Sequence, residues 1–373
     1  MNTSNTPSLI AQADYRGEPC RIAVIGAGVA GAACAAGLLR AGVDVTVFDK
    51  SRGVGGRMAT RRTQWATADG ISHAAEFDHG CPQFTATRPR FKAVVDRAEA
   101  IGCVSRVRQY VHAKFPAPRQ REVVVPTPNM PAFCRHLLNG VPLHLGHAVT
   151  GLKRGSDGWR LQLAGGDFEG PFDQVVVAIP APRAAALVTS HRPGWAGALI
   201  ARRMSPCWTL MAVTDDVDWP WDAAEIDRGA LGWIARNDRK PDRHGAPAGR
   251  AQWVAHATPE WSLAHLEDEP EQVDELLRAA LTELLPGGRP VHWHFSAVHR
   301  WRHAQLAQPS SGGPDCWWSA SLGLGVCGDS FASGSVEAAW CSGDELADTI
   351  AAALDVEPLD NAAPEPELAG SLL

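Results

Sequence analysis

Six residues near the amino-terminal end have the types and spacing to grip an anionic dinucleotide: Gly26, Gly28, Gly31, Asp49, Arg52 and Arg57. The three glycines form G-x-G-x-x-G directly after an apolar run, Ile22 to Ile25, that reads as a buried strand. The first permits a tight turn, the second lets a pyrophosphate approach the backbone, and the third lets a helix lie close to the strand. Asp49 stands 23 positions after Gly26, closing a second strand begun by Val43, Val45 and Val47. An acid at that distance can accept from an adenosine ribose hydroxyl.

The stretch "DKSRGVGGRMATRR" then holds three glycines, four arginines and a lysine in fourteen residues. Glycines there let the chain fold back over a diphosphate, and an arginine can neutralise it with paired donors. The glycine motif alone serves NAD or FAD equally. The second strand of nicotinamide-dependent dehydrogenases usually runs directly on into another βα unit, whereas an Arg-Gly excursion here resembles the FAD enzymes that include the amine oxidases and their relatives.

A second cofactor signal lies in "LGVCGDSFASGSVEAAWCSGDELADTIAAAL". Leu324 to Cys327 read as a strand, Gly328-Asp329 stand at its end, and a helix follows from about Ser335. The acid can accept from ribityl hydroxyls, and free N–H groups of the helix can face the flavin's pyrimidine edge.

Candidates for the reacting face are fewer. His79 precedes Gly80, which permits close backbone approach; Cys81 reads as a free buried thiol. "VHWHFSAVHRWRHA" reads as a strand from Val291, with Val291, Trp293 and Phe295 on a buried face and His292, His294 and Ser296 on a polar one. His299 and His303 have a spacing that could hold a metal on a helix, but no third ligand has a convincing spacing, so no metal is expected.

These groups need an α/β scaffold to position them. The helix after Gly31 carries Ala33, Cys34, Gly37 and Ala41 on one narrow face suited to close contact with a sheet. Further helices are expected over 88–101, 129–138 and 271–285. Strands are expected over 104–111, 123–125, 159–163, 175–179, 206–215, 231–236, 251–256 and 290–298. Pro180 to Pro182 end the 175–179 strand. "NDRKPDRHGAPAGR", 237–250, reads as a surface loop. The expected fold class is a Rossmann-type FAD-binding α/β domain joined to an α+β substrate domain with a mostly antiparallel sheet. The FAD domain is discontinuous, over 20–95, 140–190 and 316–354; the substrate domain covers 96–139 and 191–315. Residues 1–19 read as a disordered extension and 355–373 as a disordered acidic tail.

Composition excludes several classes. The net charge of −6 gives no basic field for nucleic acid. No apolar run reaches the length of a membrane span. Nine scattered cysteines without a C-x-x-C pair read as reduced thiols, so a cytoplasmic location is expected.

The order of "VFDKSRGVGGRMATRR", "AEFDHGCPQFTA", "VVVAIPAPRAAALV", "HRWRHAQ" and "GVCGDSF…SVEAAWCSG" resembles the bacterial renalase-like FAD oxidoreductases, over about residues 20 to 354. The resemblance implies a p-hydroxybenzoate hydroxylase-like architecture. It also implies oxidation of 2- or 6-dihydro isomers of NAD(P), with O2 as electron acceptor giving hydrogen peroxide. It extends the expected FAD contacts to Ala30, Lys50, Gly56 and Met58, to Val149, and to Val336, Glu337 and Ala338. Pocket candidates are His79, Gln83, Trp301 and Arg302, with Arg302 holding an anionic group of the substrate. The sequence departs from the family's "HGAQYFTA" by reading "HGCPQFTA". Two other readings stay open: an amine oxidase or desaturase-like flavoenzyme, and a non-catalytic dinucleotide-binding sensor. Only Tyr15 and Tyr110 could supply the tyrosine cage that an amine oxidase commonly uses.

Overall fold

A parallel sheet grows outward from Arg21–Ile25 (β1), whose four apolar residues are fully enclosed. In this computed structural model residues 19–67, 70–112, 119–243, 246–286, 290–310 and 312–355 are described. Tyr15 and nearly all of the expected extension and tail lie outside them.

The sheet runs β17-β18-β11-β1-β2-β7. Its other strands are Asp44–Asp49 (β2), Leu143–Leu145 (β7), Gln174–Val177 (β11), Cys316–Ser319 (β17) and Leu324–Cys327 (β18). All neighbours are parallel except β17 with β18. A three-stranded antiparallel sheet of Val149–Gly155 (β8), Gly158–Leu163 (β9) and Phe168–Phe172 (β10) lies beside it, sharing a core through Phe48, Trp159 and Val175.

Val29–Arg40 (α1) and Val336–Ala353 (α8) cross at very close range. A Cβ on Gly343 would stand 2.0 Å from the Ala30 carbonyl oxygen, so the helices meet backbone to backbone. The small residues read from the sequence make that approach possible.

A seven-stranded sheet, β16-β12-β15-β14-β13-β5-β6, forms the second body of the molecule. It comprises Val104–His112 (β5), Arg119–Pro126 (β6), Met204–Asp215 (β12), Ala223–Glu225 (β13), Leu231–Arg236 (β14), Arg250–Ala257 (β15) and Trp293–Leu306 (β16). Every pairing is antiparallel except β13 with β5. Pro259–Ala264 (α6) and Pro270–Leu284 (α7) flank one face; Val273, Leu277 and Leu281 of α7 bury against Trp208, Leu210 and Trp253.

A hairpin, Arg61–Ala66 (β3) with Ser72–Phe77 (β4), packs on the other face through Trp65 and Phe77. Pro89–Ala100 (α2), Ala132–Leu137 (α3), Ala181–Val188 (α4) and Pro193–Ala201 (α5) complete the helices. β11 ends at Val177, ahead of the prolines as expected, and Pro182 falls in the first turn of α4, where a missing N–H costs nothing, so the same prolines also start a helix.

A register shift between Val213 and Thr214 inserts an extra residue in β16. Trp293 therefore joins the α7 side and Phe295 the hairpin side. The expected shared face of Trp293 and Phe295 is thus split by a bulge.

Candidate functional site: a cofactor crevice with an aromatic wall

The glycine turn after β1 is held from below. Gly26 N–H donates to the Phe48 carbonyl at 2.8 Å, and Ala27 N–H donates to an Asp49 carboxylate oxygen at 2.8 Å. The other Asp49 oxygen accepts from Ser51 N–H at 2.7 Å. A Cβ on Gly31 would lie 1.9 Å from the Gly26 carbonyl oxygen, so this glycine is required by the turn as much as by the sheet.

The Arg-Gly segment returns over that turn. Gly55 N–H donates to the Ala27 carbonyl at 2.8 Å, and a Cβ on Gly56 would stand 3.4 Å from Gly28 Cα. A Cβ on Gly28 itself would meet no protein atom within 4 Å. No packing demand accounts for Gly28, whereas close approach of a diphosphate does. The residues present therefore fit an adenine dinucleotide.

Arg57 leaves this loop and meets Asp329, which follows β18. Its two terminal nitrogens donate to the two carboxylate oxygens at 2.8 and 2.6 Å, and one also reaches the Ala304 carbonyl at 3.2 Å. Burial alone would lower the Arg57 pKa; the Asp329 charge and hydrogen bonds outweigh it and hold it above its ordinary value. The two sequence signals thus converge on one crevice. Arg57 faces Asp329 in this arrangement, where the sequence suggested diphosphate for one and ribityl hydroxyls for the other.

Lys50 and Arg52 are exposed on the same loop and Met58 is buried beneath it. Arg183, at the start of α4, adds a cation that the sequence reading did not single out. Burial, then Arg183, Lys50 and Arg57, push the His303 imidazole below its ordinary pKa. The signal available was Arg183 one residue after the helix-starting Pro182.

Other expected contacts fall around this frame. His147 N–H donates to the Asp49 carbonyl and Gly146 N–H to the Ser51 carbonyl, bringing the chain before Val149 alongside the end of β2. The N–H groups of Val336 and Glu337 open α8, while that of Ala338 donates to the Ser335 cap at 3.1 Å. The Glu337 carboxylate is engaged elsewhere. One oxygen accepts from Thr87 N–H and Arg88 N–H at 2.6 and 2.7 Å, the other from the Thr87 hydroxyl at 2.6 Å. Its side chain fixes the start of α2 rather than the cofactor.

A wall of rings borders the crevice. Trp301 Nε1 donates to the His79 carbonyl at 3.0 Å and its indole stacks on the His79 ring at 5.1 Å and 26°. His299 meets the His79 ring edge-on at 4.8 Å. Gly80 lets the loop pass below, since a Cβ there would lie 2.0 Å from the Arg57 carbonyl oxygen and 3.3 Å from Trp301. His299, Thr209 and His256 form a row across β16, β12 and β15. Burial, then His299, pushes His79 down to about 4; burial pushes His256 down to about 4 and also lowers His299. The wall is therefore neutral at pH 7. His256, His299 and Thr209 were missed by the sequence reading, which had no means of aligning three strands.

Two expected pocket residues are placed differently. Arg302 follows Trp301 on the strand and so takes the opposite face, where it makes a two-point pair with the exposed Glu267 at 2.6 and 2.8 Å. It cannot join Trp301. Gln83 spends its amide on Gln109, donating at 2.7 Å and accepting at 2.9 Å, which ties the loop to β5. Cys81 is a free thiol whose pKa is raised by burial.

The segment expected as a surface loop at 237–250 instead reaches the centre of the molecule. Lys240 Nζ donates to Asp78 at 2.8 Å and to the Pro82 carbonyl at 2.8 Å; Arg243 donates twice to the same Asp78 oxygen at 3.0 and 2.9 Å. Asp78 and Arg243 are fully buried. Burial would raise the Asp78 pKa, but Lys240 and Arg243 hold it below its ordinary value. Polarity in the sequence suggested solvent; the buried carboxylate beside His79 draws the cations inward. Separately, among the described residues no helix is long and apolar enough to cross a membrane.

Residues 116–351 match the description of the flavin containing amine oxidoreductases, and residues 24–98 match an NAD(P)-binding Rossmann-like domain. A tRNA 5-methylaminomethyl-2-thiouridine biosynthesis bifunctional protein of Magnetococcus marinus is 29% identical over 201 residues, 44% of this chain and 30% of that protein. The chain thus spans about a third of that curated relative. Among solved structures, UDP-galactopyranose mutase shares the fold with a TM-score of 0.65 at 10% identity, covering 89% of this chain and 95% of that one. A putative protoporphyrinogen oxidase from Exiguobacterium sp. scores 0.64 at 13% identity, covering 90% and 99%. Putrescine oxidase bound to putrescine scores 0.57 at 13% identity, covering 90% and 99%.

Proposed function

From the premise that the chain belongs to the flavin containing amine oxidoreductase family, and is thus an FAD-dependent oxidoreductase, we propose that its substrate is a misplaced dihydronicotinamide, the 2- or 6-dihydro isomer of NAD(P). The observation that carries this reading is the neutral wall of His79, His299 and Trp301. A flat, uncharged dihydropyridine gains from stacking on rings, whereas an ammonium substrate asks for a carboxylate or a tyrosine cage. Nearby carboxylates are already neutralised: Asp78 by Lys240 and Arg243, Glu76 by Arg62. Tyr110, the one tyrosine among the described residues, is exposed and stacks on Trp221 at the far side of the second sheet.

When bound, FAD would supply the two-electron acceptor, with dioxygen as the proposed final oxidant and hydrogen peroxide as its product. The protein's part is positional. Trp301, clamped by its hydrogen bond to the His79 carbonyl, offers a fixed plane for the substrate ring. A hydride donor that becomes a stable aromatic cation needs no general base, in keeping with imidazoles held neutral. Arg57, Asp329, Asp49 and the α8 N terminus would hold the cofactor, with Lys50 and Arg183 adding positive potential for its diphosphate. The cytoplasm, where NAD(P) is abundant, is the proposed location.

Anaerobic mixing of the yellow protein with normal NADH, the 2- and 6-dihydro isomers and a panel of amines tests the reading. Rapid bleaching by an isomer and none by amines is expected. Bleaching by an amine and not by either isomer would replace it with amine oxidation; a colourless protein would favour the sensor.

A further inference from the structure

We propose that His144, His147 and Glu169 form a binding site for a divalent transition metal of the Zn2+ class, at the outer edge of the nucleotide sheet. One ligand atom from each residue lies within 4.8 Å of those of the other two. The three come from different elements: His144 from the edge strand β7, His147 from the turn beyond it, and Glu169 from β10 of the neighbouring sheet. Neither the cofactor crevice nor the aromatic wall uses these side chains, and the inference does not depend on the substrate.

The donors are prepared for a metal in three ways. His147 Nδ1 lies 3.0 Å from the Leu145 carbonyl oxygen. Donation to that carbonyl places the proton on Nδ1 and leaves the Nε2 lone pair for a ligand, the arrangement that orients metal-bound imidazoles. The His144 ring rests on Phe48 at 4.7 Å and 37°, and the two imidazoles lie at 74° to each other rather than stacked. The Glu169 carboxylate has no ion pair among the described residues, so its charge is available.

Two imidazoles and a carboxylate suit Zn2+, with a fourth position for water. At metal–ligand distances of about 2.0–2.1 Å the donors would need to be about 3.3–3.4 Å apart. All three side chains are only partly buried, so small rotations close the difference. A metal here would clip the edge of the six-stranded sheet to the three-stranded one. Because Phe48 lies under His144 and His147 N–H holds the Asp49 carbonyl, the clip would stiffen the end of the crevice where Asp49 stands.

The test uses the full chain with its flavin, stripped with chelator and titrated with Zn2+ by calorimetry and with Co2+ by visible absorption. The wild type is expected to bind one Zn2+ with a micromolar or lower dissociation constant and to show a Zn2+-dependent rise in Tm. His147→Ala and Glu169→Gln should bind at least tenfold more weakly and lose the Tm rise. Flavin content in metal-free buffer checks that each variant is folded, and His144→Gln replaces any that is not. Wild-type binding no tighter than that of the variants, or none at micromolar Zn2+, overturns the site.

Discussion

Arg57 and Asp329, 272 positions apart, meet through two parallel hydrogen bonds at 2.8 and 2.6 Å. Arg57 rides on the loop that lies over the glycine turn, and Asp329 ends the strand leading to α8. The pair therefore fixes the separation of the two cofactor-holding halves. Such a planar fork carries geometric information that a lysine could not supply. Removing the guanidinium would strand a buried carboxylate. Arg57→Ala should cost roughly 1–3 kcal/mol, less than a fully buried pair because Arg57 is partly exposed, and Arg57→Lys should recover only part. Chemical denaturation of the flavin-loaded protein measures this; an unchanged midpoint would deny the pair its bracing role.

Asp49→Ala should weaken flavin retention by roughly 1.5–3 kcal/mol, through loss of the carboxylate that holds Ala27 and Ser51 and of the acceptor proposed for the ribose. Asp49→Asn, which keeps one acceptor oxygen, should fall between. Flavin content after dialysis is the readout, and full occupancy in Asp49→Ala would remove the residue from the site.

Stability should decline in mild acid. The folded pKa of His79 and of His256 is depressed to about 4. Below about pH 6.5 the unfolded chain therefore takes up protons that the folded chain refuses, so stability falls as the pH drops from about 6.5 to 4. Each histidine should contribute roughly 1–3 kcal/mol across that window. Urea unfolding at several pH values tests it: His79→Asn should flatten the slope, and an unchanged slope would mean that His79 is protonated freely in the folded protein.

Asp78 adds to this acid sensitivity at lower pH. Its depressed folded pKa contributes stability above about pH 4 that is lost as the pH falls further. Asp78→Ala should lower stability by about 3–5 kcal/mol, because Lys240 and Arg243 would be left buried without a partner. Lys240→Met, retaining the Arg243–Asp78 pair, should be milder. Equal losses in both variants would show that Asp78 does not serve both cations at once.

Trp301 and Arg302 should separate cleanly. Trp301→Ala should slow flavin reduction by at least tenfold while most FAD is retained. Arg302→Ala should change the reduction rate by less than about twofold, since an exposed pair with Glu267 contributes at most about 1 kcal/mol. Stopped-flow reduction of both variants decides it, and a slow Arg302→Ala protein would bring that side chain back into the pocket.

What could be read in the residues was local. The path from Ile22 through Gly31 to Asp49, and that from Leu324 to α8, each announce themselves by short-range spacing, because a turn and a helix face are set within a few residues. The ring wall was legible only in part. Trp301 and His79 were reachable from the sequence; His256 and Thr209 required three strands in register. Arg302 shows the limit of alternation, which puts neighbours on opposite faces without saying which face meets the other sheet. Lys240 and Arg243 show a second limit. Pro, Gly and charge predict solvent, and only the distant Asp78 turns those cations inward. The bulge at the start of β16 is a third, since an added residue shifts faces without any mark in composition.

The seating of α8 on α1, with no room for a methyl group between Gly343 and Ala30, sets an order on biosynthesis. The first nucleotide-binding elements leave the ribosome early, but the surface they are shaped to receive is translated some three hundred codons later. Until α8 emerges, the nascent chain exposes the small-residue stripe of α1 and lacks Asp329. A chain cut short before α8 should therefore lack the backbone-to-backbone seat against Ala30 that the complete pair of helices makes.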